Sequence, residues 1–251
     1  LAARFAMVRD LAAPAWVDSI HHGLITRLIL EQGAFPTTYL PYLAVDPHVY
    51  HPGFHSIVAM FSWLTSLDIG NSLSIAGQTI NAAAVLAVFL FTKTQTQDSR
   101  AGLIAALITG FLPPMPAYLA SWGRFTPLAG LVILPTLVAL LHRAIQAKQH
   151  DRLRLVVASS LVAAGLFLVH YRVLAFAILL IIVIYLIRVA AQILRRQNTA
   201  IKINLLTIGF TGALASLVTL PWLLPFLRSI LLPRIATAAT VTASASSMRN
   251  G

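Results

Sequence analysis

The run LVVASSLVAAGLFLV (155–169), HYR (170–172), VLAFAILLIIVIYLIRVAA (173–191) decides the class of this protein. Two strongly apolar segments flank a polar triplet, and each approaches the roughly 20 residues that a helix needs to cross a bilayer. Ionisable side chains at membrane depth are costly and mark function by default. His170-Tyr171-Arg172 is therefore either a tight external turn between two spans or part of a site at the membrane edge. A turn built from Gly or Asn would have been cheaper, which favours function.

Working outward, four more stretches qualify or nearly do: Leu73–Thr92, Ala101–Leu112, Thr126–Leu141 and Ile203–Leu224. Ala101–Leu112 is short, and Thr126–Leu141 is short and contains Pro135. Composition agrees. Of 251 residues 58% are hydrophobic and 10% charged, with no cysteine, against about 25% charged in a soluble domain. Mean hydropathy is +0.82. A disordered chain and a secreted disulfide scaffold are excluded. The net charge of +11 is no nucleic-acid footprint, because the basic residues fall between apolar runs rather than on one water-facing patch. No nucleic-acid partner is expected.

The fold class expected is an all-α, polytopic helical membrane protein with about six spans. Loops around 93–100, 142–154 and 188–202 hold ten of the 18 Lys and Arg residues, and the positive-inside rule puts them in the cytoplasm. Three units follow: an extracytoplasmic loop over 1–72, a transmembrane bundle over 73–225, and an external loop or truncated tail over 226–251.

The first unit is too polar to span and too patterned to be a linker. Asp18 is placed to cap a helix over Ser19–Gln32 that Gly33 stops. In that helix Ile20, Leu24 and Leu28 form an apolar stripe suited to the membrane surface. A proline-punctuated segment leads to a second surface helix over Gly53–Ser66.

Five of the eight histidines lie between His21 and His55. Asp18, His21 and His22 are spaced i, i+3, i+4, so a carboxylate and an imidazole can share a face. His51 and His55 repeat the i, i+4 spacing across Pro52. Such a set can relay protons, bind phosphate when protonated, or hold a divalent metal. It can also simply cap a helix and line an interface. No cofactor is fixed by these residues, and a divalent metal stays open. Arg124, in Ser121-Trp122-Gly123-Arg124-Phe125, can fork onto a phosphate or anchor at the interface. No P-loop, GxSxG, HExxH or GxGxxG occurs.

Trp16-Val17-Asp18-Ser19-Ile20-His21-His22, then Gly33 and Pro36, then Tyr50-His51-Pro52-Gly53-Phe54-His55 and a run of spans together resemble the N-terminal half of GT-C-type membrane glycosyltransferases. That superfamily holds the oligosaccharyltransferases, protein O-mannosyltransferases and aminoarabinose transferases. The resemblance covers roughly residues 10–175. It implies a first span before Leu1 and transfer of a sugar from a polyprenyl-phosphate donor to an unidentified acceptor. The active site would face away from the cytoplasm, in a bacterial-type plasma membrane. Asp18 matches the aspartate of the superfamily's first external loop. It would be the catalytic base or position the acceptor, with His21 and His22 beside it. His51-Pro52-Gly53-Phe54 matches an HPP-aromatic stretch, with Gly53 replacing the second proline. The acidic pair common in a later external loop is absent, since residues 113–125 contain no Asp or Glu. Donor phosphate binding would then fall to Arg124, His170 and Arg172, with His51 and His55 completing the substrate-binding set. The competing reading is a transporter or flippase-like carrier with an intramembrane His/Arg site. Such carriers show internal repeats and midplane sites, whereas here no repeat is evident and the polar residues gather on one side.

Overall fold

The computed structural model describes residues 2–112, 115–196 and 198–237, and the described residues contain helices and no strands. A short α1 (Ala2–Ala6) precedes α2 (Val17–Gln32), which ends at Gly33 with φ 66° and a hydrogen bond from the Gly33 N–H to the Ile29 carbonyl. The start differs from expectation. Trp16 occupies the cap position with no side-chain cap, and Asp18 lies inside the first turn. Its carboxylate is taken by Arg124, and a guanidinium is the stronger partner. Pro47–Val49 forms a 3₁₀ turn capped by Asp46, and α3 (Pro52–Thr65) starts on Pro52, whose missing N–H costs nothing there. Asp68 caps α4 (Ile69–Thr96) and Asp98 caps α5 (Ser99–Phe111). Next come α6 (Ala117–Ser121), α7 (Phe125–Gln146), α8 (Gln149–Leu194), α9 (Asn198–Val218) and α10 (Leu220–Phe226), which runs into a π-helical turn over Leu227–Leu231. Residues 232–237 are helical, so the expected loop over 226–251 begins as helix, and residues 238–251 lie outside the described residues.

Four described helices are long and apolar enough to cross a membrane: α4, α7, α8 and Ile201–Val218 of α9. This is an integral membrane protein. The number of separate long helices is four rather than about six, for two reasons. The 13 residues of α5 reach only about 20 Å, short of a bilayer's hydrocarbon core. The expected spans 155–169 and 173–191 are joined in one helix of 46 residues, broken at His170 (φ −164°, ψ 91°).

At 1.5 Å per residue, α8 would be about 69 Å long if straight. It reverses instead. A Cβ built on Gly130 of α7 would lie 3.1–3.2 Å from Val173 and His170. Toward the other end of α7, His142 bonds Arg188 at 2.7 Å, and the Ala147 carbonyl accepts from Arg152. Both halves of α8 thus run along α7 in opposite directions. Leu137 packs between them with Ala163, Leu166, Val173 and Ala177. His170 makes the break affordable by capping the second half: its Nδ1 accepts the Val173 N–H at 3.1 Å, three residues on.

Helices α2 and α3 and the segment between them sit at the end of the bundle where α8 reverses, with α2 packed on α3 and α4, and α3 also on α8. Arg143, Lys148, Arg152, Arg154 and Arg188 lie at the opposite end, beside the α7–α8 junction. The buried face of α2 carries Ser19, His22, Ile25, Thr26 and Leu28, while Ile20 is 70% exposed. The expected stripe is therefore split: Ile20 stays uncovered, as a membrane-facing residue would, while Leu28 turns inward beside the polar side chains. On α3, Ile57, Met60, Trp63 and Leu64 form an uncovered stripe at helical spacing. That is the surface a lipid phase covers.

Candidate functional site

A polar cavity of about 540 Å³ opens at the reversal end. From α2 come Asp18, His21 and His22. Tyr50 and His51 enter just before α3, Arg124 and Thr126 at the start of α7, and His170, Tyr171 and Arg172 at the break in α8. Seven of the eight candidate residues line it. The eighth, His55, does not: it is 0% exposed, sealed behind His22 and His51.

Two rungs tie the start of α2 to the start of α7. The inner rung is an ion pair, Arg124 Nε donating to Asp18 Oδ2 at 3.2 Å, with both side chains about half exposed. The outer rung is Trp16 against Trp122, ring centroids 5.1 Å apart and planes within 12°. The two segments approach this closely because of Gly123. Its φ is +66°, and any Cβ there would run into the Ser19 hydroxyl. Trp16 is held at φ 74°, ψ 164°, a region that is nearly glycine-only and costs a larger residue about 1–3 kcal/mol.

Beneath the cavity lies a chain of imidazoles. His55 Nδ1 is 2.6 Å from the His51 carbonyl, which accepts only, so His55 carries its proton there. Its Nε2 then accepts from His22 Nδ1 at 2.8 Å. Burial pushes His55 down to about 4 and His51 to about 2, and lowers His22 as well. Burial thus favours the neutral form of these rings near pH 7. His51 stacks on His170, with centroids 4.5 Å apart. The guanidinium groups of Arg124 and Arg172 are the permanent positive charges at the cavity.

The donor set does not suit a metal. Asp18 is engaged by Arg124, His22 by His55, and His21 Nδ1 by the Tyr50 hydroxyl at 3.3 Å. Among the described residues, no three His, Asp or Glu side chains come together as a cation site.

An apolar groove of about 760 Å³ runs from the cavity between α8 and the α9–α10 region, lined by residues such as Phe167, Ile178, Ile208 and Leu227. Tyr171 and Arg172 line both spaces. Buried with no hydrogen-bond partner are the Tyr171 hydroxyl and His51 Nε2. Sequence reasoning gave no role to Tyr50 or Thr126, and took Tyr171 only as part of its triplet. The signal available was position: each adjoins a residue already singled out.

No curated protein and no solved structure matches the chain. Over residues 1–245 it matches DUF6541, a family of unknown function, and the chain belongs to that family.

Proposed function

We propose that this protein is a membrane glycosyltransferase that moves a sugar from a polyprenyl-phosphate donor to an acceptor on the non-cytoplasmic side. The supporting observation is the junction at Tyr171 and Arg172, where a polar cavity with two arginines meets an apolar groove. A donor of this class has the same two halves, a phosphate and a hydrocarbon tail. In this reading the tail lies in the groove and the phosphate meets Arg172 and Arg124. The acceptor hydroxyl gives its proton to the Asp18 carboxylate as its oxygen bonds the anomeric carbon. The bond from that carbon to the phosphate oxygen breaks, and the electron pair leaves with the polyprenyl phosphate. Stabilising that developing charge is the main electrostatic demand, and fixed guanidinium groups meet it. The site's position opposite the basic loops, with the positive-inside rule, supports a non-cytoplasmic orientation.

The test is transfer from radiolabelled polyprenyl-phosphate sugars by the protein in nanodiscs. Wild type should release polyprenyl phosphate and label the acceptor. Arg172→Ala should raise the donor KM at least tenfold. If no donor in a panel of mannosyl, glucosyl, arabinosyl and aminoarabinosyl carriers turns over, the reading is wrong.

A further inference from the structure

We infer that Trp16 and Trp122 form a carbohydrate-stacking platform at the lip of the cavity, so that the acceptor is a saccharide. This identity rests on the transferase reading above, whereas the binding platform can be tested without it.

The two indoles lie nearly parallel, and Trp16 leaves 60% of its surface uncovered. Tyr118 flanks Trp122 with centroids 5.2 Å apart, and the Arg124 guanidinium sits 4.9 Å from the Trp122 ring. A tryptophan serving the core would be buried. One serving only as a membrane anchor needs neither a second indole beneath it nor a backbone held in glycine's territory at φ 74°. The fold accepts that strain and spends it on presenting a flat aromatic face.

What lies beside that face names the ligand. Two residues along each segment, Asp18 and Arg124 form the charged rung facing the cavity. A pyranose has an apolar face of C–H groups and a rim of hydroxyls. Set against the Trp16 indole, its C–H face covers the aromatic surface and its rim reaches the carboxylate and the guanidinium. A free phosphate or a peptide carboxylate would use the arginine but leave the indoles idle. A sugar uses both rungs, and it brings a hydroxyl to Asp18.

The experiment uses phosphatidylcholine nanodiscs assembled without glycoside detergents, in a Trp63→Phe/Trp222→Phe background so that only the pair reports. Intrinsic fluorescence is titrated with maltotriose, cellotriose, chitotriose and mannotriose. At least one should give a saturable change that weakens tenfold or more in Trp16→Ala and is largely kept in Trp16→Phe. No saturable change with any of the four, or equal binding by Trp16→Ala, overturns the platform. So does strong quenching of the pair by brominated phosphatidylcholine, which makes it an interfacial anchor. Trisaccharide binding without turnover of any donor leaves the platform standing and removes the transferase. Donor turnover that is indifferent to Trp16→Ala does the reverse.

Discussion

Asp18 and Arg124 lie 106 positions apart in sequence and meet at 3.2 Å, each about half exposed. Exposed ion pairs contribute only about 0–1 kcal/mol, so breaking this one should barely disturb the fold. Asp18→Asn is therefore expected to keep its melting temperature while sugar transfer falls 100-fold or more, the range for losing a general base. Unchanged turnover would remove Asp18 from the chemistry. The buried imidazoles govern stability instead. An unfolded histidine takes up a proton near pH 6.5, whereas folded His55 resists to about 4 and His51 to about 2. Between those values the unfolded chain binds more protons, so stability rises with pH. Thermal melts should be flat from pH 7 to about 9, below the tyrosine range, and decline steadily from pH 6.5 to 4. The shifted carboxylates Asp46 and Asp68 add their losses only at still lower pH, since both already lie below the usual carboxylate value. A melting temperature that climbs on acidification contradicts this account. Asp18 stood out in the sequence because acids are so scarce, seven in the chain, and it lines the cavity. The seat of His55 was not legible, because its partner His22 lies 33 residues away and no local spacing encodes it.

At the scale of elements, the approach of α2 to the start of α7 hangs on Gly123. Gly123→Ala meets two penalties: a left-handed backbone costing about 1–2 kcal/mol for a residue with a side chain, and a collision with the Ser19 hydroxyl. Its melting temperature should drop by several degrees. Ser19→Ala in the same chain should return part of that loss by clearing the collision, and calorimetry of the single and double variants checks both. Helix ends were partly legible. Gly33 stops α2 as the pattern requires, and Pro52 opens α3. The start of α2 was not, because capping propensity treats Asp18 as a local acceptor and cannot see Arg124 arriving from another element. The inward face of α2 failed for a similar reason. The stripe of Ile20, Leu24 and Leu28 reads as one membrane-facing side, but neighbouring elements draw Leu28 inward together with His22 and Thr26, at 6%, 5% and 0% exposure.

For the whole molecule, apolar side chains face outward along the spans, as with Phe176 at 69% and Leu179 at 59% exposure, and two ends of opposite character remain. One holds the cavity, the other the basic junctions. Because the chain contains no cysteine, single cysteines can report sidedness directly. Thr38→Cys, near the cavity end, should react with an impermeant maleimide added outside intact cells. Gln149→Cys should react only after permeabilisation. The opposite pattern would invert the orientation and move the reaction to the cytoplasm. Membrane class and the alternation of basic loops were legible because both are written in composition. The number of separate helices was not, because the sequence marks where apolar runs stop but not whether the chain leaves the helix there.

That reversal sets a strict length gauge. Between the two halves of α8 stands a single residue, His170, with helix immediately on either side. Adding one residue after it would turn every following side chain by about 100° around the helix axis. Tyr171 and Arg172 would swing away from the cavity and the groove together. Lengthening the chain between α8 and α9 carries no such penalty, since among the described residues neither site draws on Arg195 or Arg196. Two insertions of equal size, one at each place, therefore have opposite fates: one is absorbed, and the other disconnects the polar space from the apolar one.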